Sequence, residues 1–168
     1  MTTPDATTDR LFRHMAWANA SLIEQLAQLP TDVLGFAAPG SDDWSASKIL
    51  AHYVGAAGFY AARLEGVVLP HRPRAPMSAG EVRAISALCA EYDARLRAQA
   101  ALPDAVSTYV RDGQTVHRAR STILAQAIHH ATEHRAQIAG ALAANGVHAI
   151  DLDALDVWAY GDAEGLGA

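Results

Sequence analysis

Four stretches of the chain repeat apolar side chains at intervals of three and four, and glycine and proline gather between them. That period lays the apolar groups along one stripe of an α-helix, and such stripes are buried by packing helix on helix. The first stretch runs from about Thr8 to Leu29 and ends at Pro30, with Leu11, Met15, Ala18, Leu22, Leu26 and Leu29 on its stripe. The second follows Ser45, whose hydroxyl can cap the free amides of a first turn, and stops at Gly66, a natural residue just past a helix end. Small residues fill its middle, so a neighbour can approach closely there. The third spans residues 78–101, where Ser78 and Glu81 form a capping box and Val82, Ile85, Cys89, Tyr92 and Leu96 form the stripe. The fourth, alanine-rich, spans residues 121–146, with Ser121 as its expected cap and Gly146 beyond its end.

The connections constrain how these helices are joined. Residues 67–77, VVLPHRPRAPM, contain three prolines and should be extended. Eleven such residues span about 34 Å, the length of a helix of about 22 residues, so the second and third helices can lie parallel. Residues 106–119 read as two short strands around Asp112-Gly113, a favoured hairpin turn. Residues 150–160 should form one short C-terminal helix that lays Leu155, Trp158 and Tyr160 over an end of the bundle.

Bulk properties narrow the function classes. A chain of 168 residues, 51% hydrophobic and 18% charged, fits one domain over residues 1–168. The net charge of −5 argues against a nucleic-acid surface, which shows a basic stripe. A single cysteine, Cys89, excludes an internal disulfide and reads as part of an apolar stripe. The polar start, MTTPDATTDR, does not resemble a signal peptide, and no apolar run reaches membrane-spanning length. The expectation is a cytoplasmic protein.

Chemistry concentrates in residues 129–138, HHATEHRAQI. Ile123, Ala127, His130, His134 and Ile138 or Ala141 share one stripe, so His130 and His134 stand one turn apart on the apolar face. Two imidazoles so placed can aim nitrogens at one point, as in helical metal sites. His129 is turned about 100° away and pairs more naturally with Glu133 along a flank. A third ligand should come from elsewhere, and His52 is the best candidate, on a stripe with Ile49, Ala56 and Phe59. Three histidines leave metal positions open for water or substrate, the catalytic pattern. The competing reading makes these rings hydrogen-bonded core residues without metal. His14, His71, His117 and His148 are expected in surface or capping roles. Arg135 and Gln137 flank the ligand stripe and could orient a ligand, hold a partner helix or pair with an acid, a structural role being favoured.

In that order along the chain, LFRHMAWAN (residues 11–19), WSASKILAHY (44–53) and HxxxHRAQI (130–138) resemble the DinB superfamily, as do the proline-rich crossover, the hairpin and the aromatic tail. The resemblance implies an all-α, up-down-down-up four-helix bundle, often dimeric, with one divalent metal on three histidines that map to His52, His130 and His134. It also implies, from the members with assigned functions, thiol-dependent transferases and an isomerase that use mycothiol, bacillithiol or glutathione. The family's usual HRGQ reads His134-Arg135-Ala136-Gln137 here, and His14 stands where an aromatic is common. The leading expectation is therefore a homodimeric, thiol-dependent S-transferase on a small-molecule substrate, using zinc, nickel or iron. The alternatives are a non-catalytic metal-binding bundle and a metal-free one. No general base is assigned from the sequence; His14 and Glu133 could serve, with nothing beyond their proximity along the chain in support.

Overall fold

The computed structural model describes residues 5–165 and is mainly helical. Its long helices are α1 (Ala6–Gln28), α2 (Ala46–Glu65), α3 (Ala79–Ala100) and α4 (Arg120–Ala144). Strands β1 (Val106–Arg111) and β2 (Gln114–Ala119) pair antiparallel just before α4, and a short α5 (Val157–Ala163) follows it. None of the described helices is long and apolar enough to cross a membrane.

The helix ends follow local chemistry. Ser45 Oγ accepts from Lys48 N, and Gly66 closes α2 at φ 69°, a left-handed position that glycine adopts without a Cβ penalty. Ser78 Oγ accepts from Glu81 N at 3.3 Å, while Glu81 Oε2 reaches back past Ser78 to the Met77 amide at 2.6 Å. Ser121 differs from expectation, because it lies inside α4 instead of capping it. Asp104 accepts both its amide (2.9 Å) and its hydroxyl (2.8 Å). A carboxylate satisfies first-turn donors and also favours the positive end of the helix dipole.

Side-chain contacts fix the helix directions. Arg97 near the end of α3 meets Asp9 near the start of α1, so these two are antiparallel. Arg95 pairs with Glu65, and Tyr92 lies against Gly58, so α3 runs parallel to α2. Trp44 reaches Gln137 while Tyr60 lies beside His130, so α2 and α4 are antiparallel. Taking α1 as up, the order is up-down-down-up. The parallel α2–α3 pair requires the crossover to return along the bundle, and it does: Pro70 packs at Gly58 and Pro73 at Gly55.

Two apolar clusters stack along the bundle. One is built around Leu22, Ile49, Leu50, Val82, Ile138 and Leu142, the other around Phe12, Met15, Ala61, Leu96 and Ile123. On α4 they meet between Ala131 and Ile138, where the buried side chains are His134 and Arg135. Polar chemistry therefore enters at the seam of the core. Leu11 and Leu29, expected on the α1 stripe, are only half-buried, and Phe12 and Ile23 take the interior instead.

Hairpin and tail close the ends. Asp112 (φ 51°) and Gly113 (φ 76°) make the expected two-residue turn, both with the positive φ it needs. Leu155 and Tyr160 are buried as expected, but Trp158 is 85% exposed. A seven-residue helix laid on a bundle buries only one face, and α5 spends that face on Tyr160. Glu164, which accepts from the Tyr160 hydroxyl (2.7 Å), then holds the tail to α1 through Arg10 (2.8 Å) and Arg13 (2.5 Å).

Candidate metal centre

Antiparallel packing of α2 on α4 brings His52 opposite the HxxxH pair. His52 Nε2 lies 3.2 Å from His130 Nε2, and His134 Nε2 lies 3.1 Å from the same atom. The ligand atoms of all three fall within 4.8 Å of one another. Three imidazoles from two helices thus converge on one point through the same ring nitrogen. Among the described residues no cysteine or carboxylate joins the group.

The neighbours of these rings determine how they are held. His134 Nδ1 lies 2.8 Å from Gln137 Oε1, and Trp44 Nε1 donates to that same oxygen at 3.1 Å. An indole N–H can only donate, so Trp44 fixes which end of the Gln137 amide faces inward. His134 must then carry its proton on Nδ1, leaving the Nε2 lone pair free and aimed at the other two rings. The loop before α2 seats the indole: Ala38 N donates to Trp44 O, Ala46 N to Phe36 O, and Ser45 caps the helix directly after it. Trp44 also packs edge-on against His52, with centroids 5.1 Å apart. The Tyr60 ring stands edge-on to His130 at 5.8 Å.

All three imidazoles are pushed toward the neutral form. Burial is the largest cause in each case; for His130 the neighbouring His134 and His52 add to it, bringing the group to about 4. His52 is lowered by burial, then by His134 and by Arg72, and His134 by burial against a partly opposing bond to Gln137. Neutral imidazoles are the form that binds a metal. Two of the spacings suit one as well: nitrogens sharing an ion at about 2.05 Å stand about 2.9–3.4 Å apart, for octahedral or tetrahedral angles, and His130 Nε2 meets its two neighbours at 3.1 and 3.2 Å. The donor set fits a divalent ion without selecting one.

His52 and His130 also form one wall of an open cleft of about 560 Å³. Phe59, Tyr60 and Tyr109 give it an aromatic lining, and Arg63, Arg72, Arg111 and Arg118 give it positive charge. Neither His14 nor Glu133 lines it.

The other histidines separate cleanly. His129 and Glu133 are exposed, and so are His71, His117 and His148. His14 departs from expectation, because it is buried and its Nε2 lies 2.9 Å from the Leu155 carbonyl, tying α1 to the tail beside Trp17 and Tyr160. Cys89 is core, as its stripe implies, and burial pushes its thiol up.

Arg135 and Gln137 take different parts. Gln137 orients a histidine of the cluster, one of the roles open to it from sequence, and its i+3 spacing from His134 is the signal. Arg135 is buried and structural: its Nη1 donates to Asn19 Oδ1 (2.7 Å), and Asn19 Nδ2 donates to Asp93 Oδ2 (2.9 Å). Trp44 and Tyr60, both beside the cluster, carry no sequence signal of that role. Ala136 is exposed, so the methyl that replaces the usual glycine meets no packing cost.

Comparison with known families matches the model described as the DinB family to residues 1–161. No curated protein matches the chain.

Proposed function

The chain belongs to the DinB family, and from that premise we propose that His52, His130 and His134 hold one divalent metal ion, zinc, nickel or iron, at the centre of a thiol-dependent S-transferase. The observation that carries this reading is the convergence of three Nε2 atoms, 3.1 and 3.2 Å apart, beside an open cleft. A divalent ion there supplies Lewis acidity, which favours the thiolate form of a low-molecular-weight thiol such as mycothiol or bacillithiol. The chain's own residues do the rest. Gln137 and Trp44 keep the His134 lone pair directed inward, the apolar seam limits water on one side, and the cleft, with Tyr60 in its wall, admits a small-molecule electrophile on the other. A non-catalytic metal site would need a fourth protein ligand to close it. The open side of the histidine cluster favours the catalytic reading over that one. Dimerisation of two such chains belongs to the same proposal and is tested by sizing in solution.

Elemental analysis after chelation and reloading tests the centre. One equivalent per chain is expected in the parent protein, and far less in His52→Ala, His130→Ala and His134→Ala proteins. Full metal stoichiometry in those variants would overturn the assignment. Turnover with mycothiol or bacillithiol and a model electrophile, lost with the metal, tests the transferase.

A further inference from the structure

The cleft beside the histidines carries a charge pattern at odds with the rest of the chain. The protein bears −5 overall, yet four arginines and one acid, Asp112, line this one space. They arrive from three elements: Arg63 from α2, Arg72 from the proline-rich crossover, and Arg111 and Arg118 from the hairpin.

Elsewhere four arginines are matched to acids. Arg10 and Arg13 hold Glu164, Arg95 holds Glu65 and Arg97 holds Asp9. In the cleft the pattern differs. Arg63 lies over the Tyr109 ring at 4.6 Å and Arg72 over the Phe59 ring at 5.2 Å, and neither has an ion-pair partner among the described residues. Stacking occupies a guanidinium's face and leaves its N–H edges to donate. Arg63 Nε is buried with no hydrogen-bond partner, an unmet donor at the cleft wall. Arg118 donates to a backbone carbonyl, and Arg111 pairs with the exposed Asp112 at 3.4 Å. Guanidiniums clustered four to one acid repel one another, and a site that keeps them is arranged for an anion.

We propose that this cleft binds a small dianion with a flat, largely apolar body. Two carboxylates or a phosphate would bond to the edges of Arg63 and Arg72, with Arg111 and Arg118 adding attraction at the mouth. The body would lie between the Phe59 and Tyr109 rings, and the end away from the anionic group would face His52 and His130. Charge selection stands on the arginines alone, whereas the statement that this anion is the substrate rests on the metal-centre reading above.

Calorimetric titration of the full chain, chelated and zinc-loaded, with isophthalate, phenyl phosphate and the neutral isophthalamide tests the idea. At least one of the two dianions should bind in both states, the tighter of them identifying the head group, and the diamide should not. Affinity should fall with added salt, and by about tenfold or more in an Arg63→Gln/Arg72→Gln protein that still takes up zinc. Should that protein fail to fold, Arg111→Gln/Arg118→Gln, on the exposed hairpin, must lower affinity instead. Diamide binding as tight as isophthalate, no binding of either dianion, or affinity unmoved by the arginine substitutions would overturn the proposal. If isophthalate binds but zinc does not, only the metal reading falls; if zinc loads at one equivalent and neither dianion binds, only this one does.

Discussion

Gln137 Oε1 accepts two hydrogen bonds, one from the indole of Trp44 and one from His134 Nδ1, and so sets a tautomer. Replacing it by alanine frees that ring and leaves an indole donor unmet, while alanine suits an exposed helical position. A Gln137→Ala protein should therefore fold normally but bind metal about tenfold or more weakly in competition with a chromophoric chelator. Gln137→Glu keeps an acceptor and should recover much of the loss; equal affinity in parent and alanine proteins would remove Gln137 from the centre. Asp93 acts on stability instead. Burial raises its carboxyl from 3.8 to about 6, against the opposing pull of Asn19, Cys89 and Arg135. Between those values the folded chain keeps a proton that the unfolded chain has lost, so stability falls as pH rises from about 4 to about 6 and stays reduced above that. An Asp93→Asn protein lacks this penalty and still offers an oxygen to Asn19. Its stability relative to the parent, from urea midpoints, should grow by up to about 3 kcal/mol between pH 4 and pH 7. A difference flat with pH would show that the carboxyl titrates normally.

Among the elements, α2 depends most on the absence of side chains. A Cβ on Gly58 would stand 2.6 Å from the Tyr92 ring of α3 and 3.1 Å from Pro70 of the crossover, so this position sets how closely both pack. Gly58→Ala should lower stability by about 1–3 kcal/mol, because overpacking outweighs the gain in helix propensity. Gly140 in α4 has nothing within 4 Å of its would-be Cβ, and Gly140→Ala should raise stability by about 0.5–1 kcal/mol. Thermal melts of the pair should move in opposite directions. The same contrast explains what was legible in the sequence. Ser45, Gly66 and Ser78 mark helix ends because each cap is local, and the spacing of His130 and His134 gives a shared face because a helix fixes it. At α4 the acceptor is Asp104, seventeen residues before Ser121, and no local pattern announces it. Arg135 looks like a flank on a helical wheel, but Asn19 of α1 is there to receive it. A wheel assigns a face and not the partner opposite, which is also why His14 and Trp158 exchange their expected exposures.

At the scale of the whole molecule, the histidine cluster is a long-range link. His52 and His130 are separated by 78 positions in the chain, and only the antiparallel packing of α2 on α4 joins them. An unfolded chain cannot present that donor set, so metal binding adds to folding stability by mass action, about 4 kcal/mol at a metal concentration a thousand times Kd. For a chain of this size that corresponds to a rise in Tm of roughly 10 °C. His52→Ala should abolish the rise, and the exposed His71→Ala should leave it intact. All three nitrogens come from one chain, so the metal-to-chain ratio should remain one at every protein concentration, and pairing of two chains should not change it. A ratio of one metal per two chains, or a metal-induced rise in Tm that appears only at concentrations where two chains associate, would show that a second copy supplies a ligand. The centre could not then be the intrachain set of His52, His130 and His134.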